Sequence, residues 1–446
     1  MAGSRGSGSW QALARLFGAS FVLQSAGLGL MFLSQLILAR VLGASGFGVY
    51  SYTNAWLVTL VLLGRFGCDI TVMRFGGTYL ADGDWPRFWS LMRVTGAVVL
   101  LSSLVASAVM LVVCFGETRA RPLNGAGPSM LVAATIIPVL ALSGLRQAAL
   151  VASGHVAKAL MPEYLVRPIA IGAGALGLLA CWDTASASAG MAANLAATIV
   201  AFALGQYWLR NVTPHRHVSH AASEDRAAWI TASVSALAFS GAQQLLAQVD
   251  MILAGSFTHS EALGHYAAAR QLASVGVLGL ISFQYSSSPR IAAAYTRRDL
   301  GELAGLLRAI AWGGAAFAVL YGVALVLAGA WVLRLFGKGF ADAQAILLLL
   351  LAGQVISAVG GPAGTVAAMV GLQKSAAVIS IVAAALCATL VGILSLRFGI
   401  LGVAAAVCVS TAAWTIAMNA VICHQTGFTV WIGSRFLWRH SIGSAM

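Results

Sequence analysis

The sequence alternates long apolar runs with short polar gaps. Twelve runs fall at roughly 16–39, 47–72, 92–115, 128–152, 164–182, 188–209, 229–256, 262–286, 308–336, 342–371, 375–396 and 400–423, against the about 20 residues that a helix needs to cross a bilayer. Backbone groups in lipid must pair internally, and the runs are too long and unbroken for barrel strands, which alternate over about 10 residues. The pattern therefore predicts an all-α polytopic membrane protein of about 12 helices. Many runs are rich in Gly, Ala and Ser, which lets helices approach closely where lipid offers no hydrophobic drive for association.

Composition agrees with that solvent. Of 446 residues, 60% are hydrophobic and 9% charged, with mean hydropathy +0.88; soluble domains carry about 25% charged residues. The net charge of +13 sits in short gaps rather than on a soluble basic face, so nucleic acid is not an expected partner. Most of the 26 Lys and Arg fall on the side that holds the N-terminus, which places both termini in the cytoplasm. The six cysteines form no C-x-x-C pair and suggest neither a zinc site nor a disulfide framework. The first apolar run is too long for a cleaved leader and reads as the first helix.

The longest polar connector, 210–228, divides the chain into an N-terminal six-helix bundle (1–209) and a C-terminal one (229–446). The halves look like repeats. Gly48-Val49-Tyr50 matches Gly264-His265-Tyr266 at an offset of 216 residues, and Asn54 matches Arg270, Arg74 matches Arg290 and Lys158 matches Lys374 at the same offset. Gly154 and Gly371 align within one residue. Six helices per half would give both bundles one orientation, related by a pseudo-two-fold along the membrane normal, an arrangement known from transporters.

Two stretches carry a family resemblance. Leu38-Ala39-Arg40-Val41-Leu42-Gly43, then Phe47-Gly48-Val49-Tyr50, Gly67-Cys68-Asp69 and Met73-Arg74-Phe75, are matched in the second half by Val249-Asp250-Met251-Ile252-Leu253-Ala254-Gly255, Glu261-Ala262-Leu263-Gly264-His265-Tyr266 and Ala269-Arg270. These resemble the signatures of Wzx-type O-antigen and exopolysaccharide flippases, in the superfamily that also holds the MATE drug exporters. In this chain the acid Asp69 follows the small-residue turn rather than preceding it. The resemblance implies a MATE-like fold in a bacterial inner membrane. It also implies an undecaprenyl-diphosphate-linked oligosaccharide as substrate, with the glycosyltransferases, polymerase and export proteins of the same pathway as partners, beside membrane lipid.

A charge at bilayer depth costs about 3 kcal/mol or more and persists only if paired or facing water. Arg65, Asp69, Arg146, Asp250 and Arg270 invite that question. Arg65 and Asp69 are neighbours at i,i+4; Asp250 and Arg270 lie on consecutive helices. Either set could line a wet cavity and hold a diphosphate through guanidinium, or clip helices together. Arg146 and Arg40 lie near predicted helix ends and could snorkel. Gln24 and Gln35 share a face of helix one, Gln244 and Gln248 a face of helix seven, and Asn54 lies on helix two; these amides suit sugar hydroxyls or interhelical bonds. Pro138 inside one run, and Gly360-Gly361-Pro362 inside its counterpart, are hinge candidates.

The eight histidines show no ligand spacing, so no metal is expected. None of the three lysines sits in a Walker loop, so no nucleotide or other cofactor is expected. Energy would come from a proton or sodium gradient or the membrane potential. A MATE-type drug exporter would want an anionic cavity, whereas arginines equal or outnumber the acids here. A polymerase or other enzyme would want a large loop with catalytic groups, and none is encoded; no catalytic residue is expected.

Overall fold

The computed structural model describes residues 5–120, 125–181, 186–212, 223–276, 300–337, 339–369, 371–426 and 431. Among them there are helices and turns and no strand. The helices are α1 (Arg5–Arg65), α2 (Cys68–Thr71), α3 (Gly77–Ala81), α4 (Trp85–Ala120), α5 (Ala126–Ala152), α6 (Val156–Met161), α7 (Arg167–Cys181), α8 (Ala187–Val212), α9 (Ser223–Phe257), α10 (260–276), α11 (Leu300–Leu333), α12 (Gln344–Val359), α13 (Ala363–Met369) and α14 (Gln373–Thr426). Seven described helices are long and apolar enough to cross a membrane.

Two of those seven are double-length. α1 runs 61 residues and α14 runs 54, against the about 20 needed to span. Each is bent at a glycine outside helical geometry, Gly43 (φ 66°, ψ 177°) in α1 and Gly399 (φ 57°, ψ −135°) in α14. A left-handed φ costs an L-residue about 1–2 kcal/mol and glycine far less. Run 16–39 and run 47–72 as far as Arg65 are thus the two arms of α1, the rest of the second run being the turn at Phe66–Gly67 and α2, and 375–396 and 400–423 are the two arms of α14. Run 262–286 begins as α10, and its last residues lie outside the described set, as does Arg290.

The chain divides into two compact units, Met1–Ser240 and Gly241–Met446. The division falls inside α9, at Ser240–Gly241. In the first unit α5 is central: it packs on α1, α4 and α8, and α7 packs on α1 and α8. Its core gathers Phe88, Leu91, Val99, Leu145, Leu150, Leu209 and Trp229. Trp229 comes from α9 and donates to Tyr79 Oη at 3.1 Å, so the start of α9 is part of the first unit. In the second unit α12 packs between α11 and α14, and α13 packs on α14. Tyr321 of α11 donates to the Leu272 carbonyl of α10 at 2.8 Å.

Breaks recur at the offset read from the sequence. Gly43 bends α1, and α9 gives way to α10 at residues 258–259. Gly154 and Gly371 are both left-handed, at φ 80° and 84°, and each precedes a helix that carries the matched Lys158 or Lys374. Tyr50 and Tyr266 are both fully buried.

Candidate functional site

Among the described residues, charged side chains at helix depth gather in three places. The first lies at the end of α1. Phe66 and Gly67 have positive φ, 52° and 69°, which stops α1 and turns the chain into α2. Arg65 Nη1 stands 3.9 Å from Asp69 Oδ2, with both side chains about a quarter exposed. The Arg65 guanidinium lies across Gly144 of α5, where a Cβ would come within 2.7 Å of its Cζ. Gly67 is required twice, for its φ and because a side chain there would collide with the Ser233 carbonyl of α9. Thr71 and Ser233 close this contact through hydroxyls 2.7 Å apart.

The second cluster is deeper in the same unit. Arg146 is only 2% exposed, so it does not snorkel at a helix end. α5 continues past it to Ala152, and its side chain turns into the protein. Its Nη1 donates to the carbonyls of Ala201 (2.8 Å) and Phe202 (3.1 Å) on α8. Gly205 gives it room, since a Cβ there would overlap the guanidinium. Its Nη2 is 3.6 Å from Glu163. Glu163 lies in a wide helical turn, Pro162–Val166, between α6 and α7. The same carboxylate is 3.6 Å from Arg167 and accepts from Ser143. Arg167 in turn donates to Asn194 Oδ1 at 3.1 Å.

The third cluster belongs to the second unit. Arg270 Nε is 3.0 Å from Asp250 Oδ2, and Tyr266 donates to that oxygen at 2.5 Å. Arg270 Nη2 donates to the Ala247 carbonyl and to Gln248 Oε1, the latter at 3.2 Å. Asp250 is buried, whereas the Arg270 side chain is 33% exposed. Its Nη1 takes no partner among the described residues. The arrangement therefore fixes two nitrogens of the guanidinium.

The structure thus joins Arg65 to Asp69, and Asp250 to Arg270 and Gln248. Arg146 meets none of the other candidates. Gln35 is buried on the side of Tyr50, while Gln24, Asn54 and Gln244 are half-buried. Gln243, next to Gln244, accepts from Ser380 of α14, which accepts from Trp414 at 3.0 Å. Of the hinge candidates, Pro138 sits within the unbroken α5, having removed one backbone donor without ending the helix. Gly360, Gly361 and Pro362 do separate α12 from α13: Gly361 is left-handed at φ 73°, and Asn419 of α14 caps the Gly360 carbonyl at 3.0 Å. Sequence reasoning missed Glu163, Arg167, Asn194 and Tyr266 as members of these networks. Glu163 and Arg167 at i,i+4 beside an apolar run were a usable signal; Tyr266 stood out only as the match of Tyr50, and Asn194 had no signal.

Residues 13–295 match the model of a family described as polysaccharide biosynthesis protein. The chain belongs to the polysaccharide biosynthesis protein family. No curated protein matches this family member. Solved structures share its fold at low identity. A multidrug resistance MATE family transporter of the MOP superfamily, inward-facing, is 15% identical with TM-score 0.68, covering 89% of this polysaccharide biosynthesis protein and 96% of that chain. The lipid II flippase MurJ in an inward closed conformation is 13% identical with TM-score 0.71, covering 91% and 87%. A MOP superfamily transporter from Pyrococcus furiosus Vc1 (DSM3638) is 15% identical with TM-score 0.61, covering 90% and 93%. The family member is a multi-pass helical membrane protein with the fold of these transporters.

Proposed function

We propose that this protein flips an undecaprenyl-diphosphate-linked oligosaccharide from the cytoplasmic to the outer leaflet of a bacterial inner membrane, exposing its head-group contacts to each side in turn, for O-antigen, capsule or exopolysaccharide assembly. The observation that carries the reading is the Arg270 guanidinium, a third exposed and anchored by Asp250 and Gln248 among apolar helices. Guanidinium pairs with phosphate oxygens through parallel N–H bonds, and a wall of low dielectric strengthens that attraction. In the first unit, Arg65, a quarter exposed beside Asp69, offers a guanidinium of the same chemistry. Arg146 is structural: Ala201, Phe202 and Glu163 occupy its guanidinium and it has almost no exposure. The half-buried amides Gln24 and Asn54 of the first unit, and Gln244 of the second, suit sugar hydroxyls, whereas Gln35 is buried beside Tyr50.

Both termini face the cytoplasm in this reading, and the polymerase and export proteins of the pathway take the flipped product. An anionic diphosphate leaving a negative interior gains about 2.3 kcal/mol per charge per 100 mV, so the membrane potential contributes to export. A site for cationic drugs would need an uncompensated acid, and Asp69, Glu163 and Asp250 each lie within 4 Å of an arginine. The test is the lipid-linked pool of a deletion strain. Intact oligosaccharide units trapped on the cytoplasmic face are expected. Units that reach the outer face unpolymerised would overturn the reading in favour of a polymerase.

A further inference from the structure

One stripe of α9 holds the start of that helix to the first unit. Asp225, Trp229, Ser233 and Leu237 stand four residues apart, so they share a face and span about 18 Å of helix. Their partners run in the reverse order along one segment of the chain. Asp225 Oδ2 is 3.9 Å from Arg87 Nε. Trp229 donates to Tyr79 Oη at 3.1 Å, with the two rings edge to face. The Ser233 hydroxyl is 2.7 Å from that of Thr71. The Ser233 carbonyl and the Leu237 amide lie over Gly67, so close that a Cβ there would collide with both. The grip is narrow. Between Asp225 and Ser240 only Trp229 and Ser233 are buried, and Ile230 and Val234 are exposed, whereas α5 buries 17 of its 27 residues. Polar bonds between membrane helices are individually weak, and an ion pair to the exposed Arg87 side chain adds little.

We infer that residues 225–240 of α9 form a releasable strap that regulates the Arg65–Asp69 pair. The last rung rests on Gly67, inside the turn that separates Arg65 from Asp69. With the strap docked, the turn at Phe66–Gly67 is pinned. The Arg65 guanidinium then stays against Gly144 and 3.9 Å from its acid. With the strap lifted, the turn is free to shift and Arg65 to follow a phosphate. The inference rests on the flippase reading for the ligand that Arg65 takes, and on the α9 contacts alone for the strap itself.

The experiment staples the strap. Thr71→Cys/Ser233→Cys, in full-length protein whose native cysteines are replaced by alanine, puts two thiols where the hydroxyls now meet, within reach of a disulfide. Flipping of a fluorescent undecaprenyl-diphosphate oligosaccharide is measured in proteoliposomes before oxidation, after it, and after reduction with dithiothreitol. Oxidation is expected to slow flipping at least tenfold, and reduction to restore it. Unchanged flipping by fully cross-linked protein would overturn the inference. A second measurement decides if the staple does not form. Spin labels on Arg74→Cys and Ile230→Cys, both exposed positions, report the distance between the strap and the segment it grips. Two distance populations are expected, the longer one growing when the lipid is added. A single population that the lipid leaves unchanged would overturn the inference. The labels answer without any flipping, so the two readings fail separately. Protein that shows both populations but flips no lipid keeps the strap and refutes the flippase.

Discussion

Removing either partner of the Asp250–Arg270 pair should cost unequal amounts. The ion pair is 3.0 Å long, with side-chain exposure of 7% for the acid and 33% for the arginine. Arg270→Gln strands a buried carboxylate that keeps only the Tyr266 hydroxyl, and removing one member of a buried pair costs about 3 kcal/mol. Asp250→Asn strands a guanidinium that already reaches outward and still holds Gln248 and the Ala247 carbonyl. Partial exposure screens that loss to about 1 kcal/mol. The double substitution removes the charge imbalance, so it should be more stable than Arg270→Gln alone, with a coupling energy of about 1–2 kcal/mol. Denaturant unfolding of the four proteins in micelles, followed by tryptophan fluorescence, measures the cycle. Additive losses, or a larger loss from Asp250→Asn than from Arg270→Gln, would refute the reasoning.

Other changes probe single contacts. Gly205→Ala places a methyl where the Arg146 guanidinium lies, and should cost about 2–3 kcal/mol through overpacking and displaced carbonyl bonds, read from the same unfolding curves. Gly361→Ala forces an L-residue to φ 73° and should cost about 1–2 kcal/mol, whereas Pro138→Ala in the continuous α5 should not destabilise; thermal melts of both variants test the contrast. Trp229→Phe keeps the ring packing but removes the donor to Tyr79, and about 1 kcal/mol of stability should go with it.

The membrane helices were legible because their signal is strong: apolar runs near 20 residues admit one structure in lipid. The two arms of α1 and the two arms of α14 were legible as separate apolar runs, and Gly43 and Gly399, outside helical geometry, divide them. At the offset read from the sequence, Tyr50 and Tyr266 are both buried and Gly154 and Gly371 both left-handed, positions where burial or backbone constrains the residue type. Arg65–Asp69 followed from i,i+4 spacing, and Asp250–Arg270 from adjacent helices. The environment of Arg146 was not legible. Its partners come from α8 and from the turn at Glu163, and burial of an arginine is decided by tertiary packing that no local spacing encodes. Whether a polar residue is a clip or a contact depended likewise on exposure: Arg146 is sealed, whereas Arg270 is a third open.

The central claim is that Arg270 grips a lipid-linked diphosphate during translocation. Its most direct test is flipping of a fluorescent undecaprenyl-diphosphate oligosaccharide in proteoliposomes, comparing the unaltered protein with Arg270→Gln, Arg270→Lys and the Asp250→Asn/Arg270→Gln double variant. Loss of a charge-assisted bond worth about 1.5–3 kcal/mol predicts flipping at least tenfold slower in every variant lacking the charge, with partial recovery in Arg270→Lys. Unchanged flipping by the folded double variant would contradict the account.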